Sequence, residues 1–197
     1  MFNPDVSFEI QPPARYGRVQ VALRVAILIL LAMLRAPLAW IFAALYLLLP
    51  IVAALAIQGN GGRGYAPATS QGMHRVLHWW SAFLAFMSFA NDRFPARSDD
   101  LAAVRFELSS TEPVDMGQAL FRLVASIPEF LLVLLLGWVA GLLGVVAAIC
   151  VLFSERVPET VQRFAVFYVS LQARWLAYHA SLVSSHPLID AKRWQPH

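Results

Sequence analysis

Hydrophobic and polar positions along this chain fall into three recurring patterns. Two long runs carry no charge at all: Leu38–Ile57, LAWIFAALYLLLPIVAALAI, and Phe130–Phe153, FLLVLLLGWVAGLLGVVAAICVLF. At about 1.5 Å per helical residue, either run is long enough for a hydrocarbon core of about 30 Å. A weaker run, Val19–Leu34, contains Arg24. Two short segments alternate instead. VSFEI (6–10) and VRFEL (104–108) place apolar side chains on one face and polar ones on the other, which predicts strands.

The third pattern is a polar stripe on an otherwise apolar helix. Within 159–185, Thr160, Arg163, Ser170, Arg174, Ser181 and Ser185 recur in steps of three, four and seven. Within 68–91 the stripe is His74, His78, Ser81, Ala85, Ser88 and Asp92, the last just past the helix. Proline opens both segments, at Pro67 and Pro158, where its missing N–H costs nothing. Such helices either cross the membrane with the stripe against protein or lie in the interface with the stripe in water. Crossing is the expectation here, with Arg174 paired, Glu129 being one partner within reach.

The patterns occur twice and in the same order. VSFEI is echoed by VRFEL, and Pro37 and Pro128 each precede a long apolar run. Pro67, Thr69 and Gln71 sit 91 residues before Pro158, Thr160 and Gln162. Leu84-Ala85 and Pro95 recur 92 residues later as Leu176-Ala177 and Pro187. The expectation is a tandem repeat. Unit one is 1–98, with a strand at 6–10, apolar helices within 19–57 and a second helix at 68–91. Unit two is 99–197, with a strand at 104–108, an apolar helix at 128–153 and a second helix at 159–185. The fold class is mostly α, a membrane protein with about four membrane-embedded helices. Arginine-bearing lead-ins (Arg18, Arg24 and Arg35; Arg122) add short helices or extend the first ones.

Composition supports lipid as the solvent. Hydrophobic residues make up 59% of the chain and charged residues 14%, against about 25% charged in soluble domains. The N-terminus, MFNPDVSFEI, is acidic and lacks a signal-like apolar core, so the first apolar segment is expected to stay as an anchor. With four crossings, Arg15, Arg18, Arg93, Arg97, Arg105, Lys192 and Arg193 share one side, and Arg63 and Arg156 the other. The positive-inside rule then puts both termini on the cytoplasmic side and favours copies of the repeat oriented the same way. Scattered arginines argue against nucleic acid as a partner. The single cysteine, Cys150, excludes an intrachain disulfide and a cysteine-based metal site.

Candidate chemistry is sparse. His74 and His78 share a helix face, a spacing that metals and haems use, and His179 in the other unit would supply an opposing axial ligand. Their neighbours Trp79 and Trp80 argue for a plain interfacial stripe, and no cofactor or metal is expected. His186, beside Pro187, reads as a cap or surface residue. Arg163 and Arg174 form a face suited to an ion pair or a phospholipid head group. Glu129, at a helix start, is stabilised there by the helix dipole, which makes it a better ion-pair partner than a proton carrier. Walker loops, dinucleotide fingerprints, HExxH and nucleophile elbows are all missing, and GNGGRG (59–64) reads as a flexible turn. A non-enzyme is expected.

The second unit resembles a bacterial membrane family, domain of unknown function 4389. The resemblance is carried by Phe121-Arg122-Leu123, Ile127-Pro128, an aromatic helix with Arg174 and Tyr178, and His186-Pro187-Leu188. Glu129 stands where the family pattern has histidine, and the first unit matches in layout, ending on Phe94-Pro95. The resemblance implies an integral membrane protein and assigns no activity. The expected function is a non-catalytic accessory or assembly subunit of a larger membrane complex, with lipids and other membrane subunits as partners. A lipid-binding or membrane-shaping protein is the alternative, and a haem-bearing electron carrier the third reading.

Overall fold

The computed structural model describes residues 6–34, 38–62, 64–108 and 114–183, the side chains of residues 38 and 39 excepted. Arg35, Pro37, Arg63, His186, Pro187, Lys192 and Arg193 lie outside the described residues, and so does the stretch predicted to be helical beyond 183. Among the described residues, two strands and seven helices form in the order β1 (Val6–Ile10), α1 (Arg18–Met33), α2 (Leu38–Gly59), α3 (Pro67–Met87), α4 (Ser98–Leu101), β2 (Val104–Leu108), α5 (Met116–Ala125), α6 (Ile127–Ser154) and α7 (Glu159–His179). The protein is mostly helical. Among the described residues, two helices, α2 and α6, are long and apolar enough to cross a membrane. The lead-in segments form helices of their own, α1 and α5.

The strands pair antiparallel, with Phe8 opposite Phe106. Val6, Ile10, Val104 and Phe106 are buried under the ribbon, while Ser7, Glu9, Arg105 and Glu107 form its exposed row. β1 packs on α7 and β2 on α3.

Helices α3 and α7 form the centre and lie against each other. Each is buried all round in its C-terminal part, over 80–86 and 175–179 respectively. They run in opposite directions. Tyr65, just before α3, donates its hydroxyl to Ala180 O, just after α7 (2.6 Å). At the other end, the Tyr16 hydroxyl donates to Phe89 O, after α3 (2.8 Å), and accepts from Gln162 Nε2 on the first turn of α7 (3.0 Å). Burial, with Asp92 adding to it, pushes the Tyr16 phenol up to about 12.

This geometry corrects the expected topology. Four consecutive crossings with copies oriented alike would make α3 and α7 parallel. The halves also interlock: α1 packs on α6 and α2 on α5.

The second helices end earlier than the polar stripes predict, at 87 and 179 rather than 91 and 185. Both stop at a left-handed residue, Phe89 (φ 62°) and Ser181 (φ 57°). A buried arginine from the lead-in helix holds each end. Arg24 Nε donates to Phe86 O (2.7 Å), one terminal nitrogen donates to Asn91 O (2.9 Å), and the other pairs with Asp92 (3.2 Å). Arg122 donates to Tyr178 O and to Val183 O (2.8 Å). The guanidinium of Arg24 lies 4.0 Å from the Phe89 ring centre, and that of Arg122 lies 4.2 Å from Tyr178. A cation at a helix C-terminus meets carbonyls with no intrahelical donor, so the same residue neutralises the dipole and satisfies the backbone. Burial pushes Arg24 down to about 10, with Asp92 opposing, so it stays charged at neutral pH.

Candidate functional site

The histidine pair of α3 faces β2. His78 Nε2 meets Val104 O (2.6 Å) and His74 Nε2 meets Phe106 O (2.9 Å). Ala103 O accepts from Gln11 N across the ribbon (3.1 Å), and carbonyls alternate along a strand. Val104 and Phe106 therefore aim their carbonyls at the outer edge of β2, and the two histidines cap that edge. His74 also stacks on Phe106, with ring centres 5.2 Å apart. A spacing of i, i+4 on a helix is about 6 Å, close to the pitch between alternate carbonyls of a strand, which is why one histidine pair serves two of them. A nitrogen that donates to a carbonyl has no lone pair for a metal.

His179 is fully buried and faces different elements. Its Nδ1 meets the Ser126 hydroxyl (3.0 Å) and its Nε2 meets Tyr46 O (2.6 Å). The second contact has a sequence-level cause. In α2 the carbonyl of residue 46 would accept from the N–H of residue 50, but residue 50 is proline. His179 supplies the missing donor from α7, which fixes Nε2–H as the protonated nitrogen and leaves Nδ1 to accept from Ser126. Tyr46 and Trp175 stack on the imidazole, Phe130 stacks on Tyr46, and the Tyr46 hydroxyl donates to Leu123 O.

The three histidines proposed as haem ligands are thus committed to backbone carbonyls through Nε2, on two separate faces. The structure does not assemble them into an axial pair. Among the described residues, no group of three or more His, Cys, Asp or Glu is placed to hold a metal.

Arg163 and Arg174 do not share one environment. Arg163 is exposed and pairs with Glu159 four residues earlier (2.5 Å), whereas Arg174 is half-buried. Glu129 is buried in the first turn of α6. An open groove on α3 is lined by Gly72, Arg75, Val76 and Trp79, and the Trp79 indole donates to Pro95 O (2.9 Å).

Sequence reasoning missed Tyr46, Ser126 and Tyr16, and read Asp92 only as the end of a polar stripe. For the first pair the signal was present: a proline inside an apolar helix frees a carbonyl that must find a donor elsewhere. Asp92 links Arg24 to the start of α1, where Gly17 N donates to its Oδ2 (2.6 Å), a contact no spacing announces. In comparisons with protein-family models, curated proteins and solved structures, nothing matches the chain.

Proposed function

We propose that the chain is a non-catalytic membrane accessory subunit, seated on a bacterial inner membrane by its apolar helices and presenting the charged ribbon to the cytoplasm. One observation carries the membrane part. Helices α2 and α6 are uncovered: only 33% and 11% of their most apolar windows are buried in the protein. The core helix of a soluble protein would be mostly buried, and soluble monomers rarely expose apolar patches above a few hundred Å². The non-catalytic part rests on economy. The buried Arg24, Arg122 and His179 are engaged with backbone carbonyls of this fold.

We further infer that the chain is a tandem repeat, a divergent relative of domain of unknown function 4389. Supporting this, Phe86, Phe89 and Asn91 around Arg24 have counterparts 92 residues on, at Tyr178, Ser181 and Val183 around Arg122. A lipid-handling role is the second reading, favoured by the groove that sets Arg75 beside Val76 and Trp79.

The test is affinity purification of tagged protein from native membranes in mild detergent, with proteins and lipids identified by mass spectrometry. Stoichiometric partner subunits are the expected result. Protein recovered alone, with anionic lipid lost on Arg75→Ala, replaces the accessory reading with the lipid one.

A further inference from the structure

The two edges of the ribbon differ. Gln11 N donates to Ala103 O, and the register sets Glu9 opposite Arg105 and Ser7 opposite Glu107. The odd-numbered residues of both strands therefore turn their backbone groups inward, and the even-numbered ones turn theirs outward. On β2 the outward carbonyls of Val104 and Phe106 are met by His78 and His74. On β1 the outward N–H and C=O of Phe8 and Ile10 meet nothing among the described residues.

The difference has a cause in the sequence. Pro67, Thr69 and Gln71 of α3 match Pro158, Thr160 and Gln162 of α7 at an offset of 91. The same offset carries His74 and His78 to Ala165 and Val169, which are buried in the cluster that holds Val6 and Ile10. The helix that packs on β1 therefore has no side-chain donors where the helix that packs on β2 has two imidazoles. β1 also lacks the other devices that blunt an edge: it contains no proline or lysine, and its register is unbroken. The ribbon itself shows what chemistry β1 accepts. β2 sets Phe106 opposite Phe8, with ring centres 6.1 Å apart, and Arg105 opposite Glu9, at 3.7 Å. The Glu9 side chain stays 62% exposed, and Arg105 is shared with Glu107 at 3.8 Å, so the outer row holds two carboxylates to one cation. A strand added beside β1 meets that surplus with a basic residue and continues the apolar face of Val6, Phe8 and Ile10.

We propose that β1 is the docking edge for an extended segment of a partner protein, one that alternates apolar and polar residues and sets a basic residue against Glu9. The proposal rests on the accessory-subunit reading and names the surface by which the subunit holds its partner. Main-chain hydrogen bonds to Phe8 and Ile10 supply affinity, and the alternate side chains supply the choice of segment. The third strand also stabilises the ribbon, since two strands by themselves are marginal.

The test uses full-length protein in mild detergent and a fluorescent peptide, AAVRFEL, which copies residues 102–108. Two further peptides carry N-methyl groups on alternate residues, in opposite phase. Saturable binding is the expected result, weakened about tenfold or more by one phase and little by the other, because only one row of peptide amides faces β1. Glutamate in place of the peptide's arginine should weaken it about threefold. No binding, or an equal loss in both phases, overturns the proposal. Slow amide exchange at Phe8 and Ile10 in monomeric protein without peptide also overturns it, because the chain then covers its own edge. A dimer with those two amides protected does the same, because a second copy is then the occupant. Faster exchange at Arg105 and Glu107 on adding peptide means that the peptide displaces β2, and this too counts against the docking edge. Stoichiometric partners recovered from membranes by a protein that rejects the peptide keep the accessory reading and sink the docking edge, so the two fail separately.

Discussion

At the scale of single residues, the buried polar groups are donors recruited for backbone carbonyls that the local chain leaves without one. Pro50 and His179 form one such pair. His179→Phe would leave Tyr46 O and the Ser126 hydroxyl unpaired in a dry site, a loss of about 2 kcal/mol. Replacing Pro50 by Ala restores the intrahelical donor to Tyr46 O, so in that background the same His179 change should cost about 1 kcal/mol less. Unfolding midpoints of the four proteins in detergent measure the coupling, and additivity would refute the donor role. Arg24 and Arg122 make a second comparison. Arg24→Met removes the cation beside the part-buried Asp92 carboxylate as well as the donor to two carbonyls, and about 3 kcal/mol is expected. Arg122→Met strands neutral carbonyls and should cost less, about 1–3 kcal/mol. Equal losses would mean that the Asp92 pair contributes nothing. The left-handed residues respond in opposite directions to glycine. Ser181→Gly relieves the backbone and removes a buried hydroxyl with no hydrogen-bond partner, a gain of about 1 kcal/mol. Phe89→Gly relieves the same strain but deletes the ring that packs under Arg24 and against Tyr16, and a net loss of about 2 kcal/mol follows.

Elements show the same logic between a helix and a strand. A two-stranded ribbon of five-residue strands is marginal in water by itself. This one is held by its apolar face on α3 and α7 and by histidines on the outer edge of β2. In His74→Ala/His78→Ala, amide exchange across 104–108 should accelerate by about tenfold or more, since two hydrogen bonds of about 1 kcal/mol each are lost. Protection that stays unchanged would show that apolar packing alone holds the ribbon. For α6 and α7 the sensitive position is Gly137. Gly137→Val forces the Tyr168 ring to give way along the tightest part of the pair, and about 1–3 kcal/mol of destabilisation is expected in the same detergent assay.

Over the whole molecule, what the chain does depends on how its faces are distributed. The ribbon's charged row lies over α3 and α7, and the uncharged faces of α2 and α6 are left uncovered. Interlocking of the halves through α1 on α6 and α2 on α5 means that each half covers part of the other's apolar surface. Expressing 1–98 without 99–197 should therefore give an aggregating or degraded product, while co-expression of the two fragments should recover a soluble-in-detergent complex. A stable, monodisperse 1–98 fragment would show that the interlock is dispensable.

Much of the local structure was legible from the residues. Alternation set both strands at 6–10 and 104–108, and the uncharged runs set α2 and α6, because period and run length are local properties of the chain. The stripe at His74 and His78 was legible as a polar helix face. The sequence could not say what that face touches. Whether a histidine meets lipid, metal or a strand edge depends on which element arrives there, and β2 arrives from the far side of a loop. The opposed directions of α3 and α7 were equally hidden: loop charges favoured copies oriented alike, yet the geometry is set by side-to-side packing of apolar faces that carry no directional label. Length and hydropathy make α6 able to span a bilayer. Only the tertiary structure decides which side of α6 is covered, by packing α7 and α1 against it, because a helix that is apolar all round carries no polar stripe to mark the face its neighbours will bury.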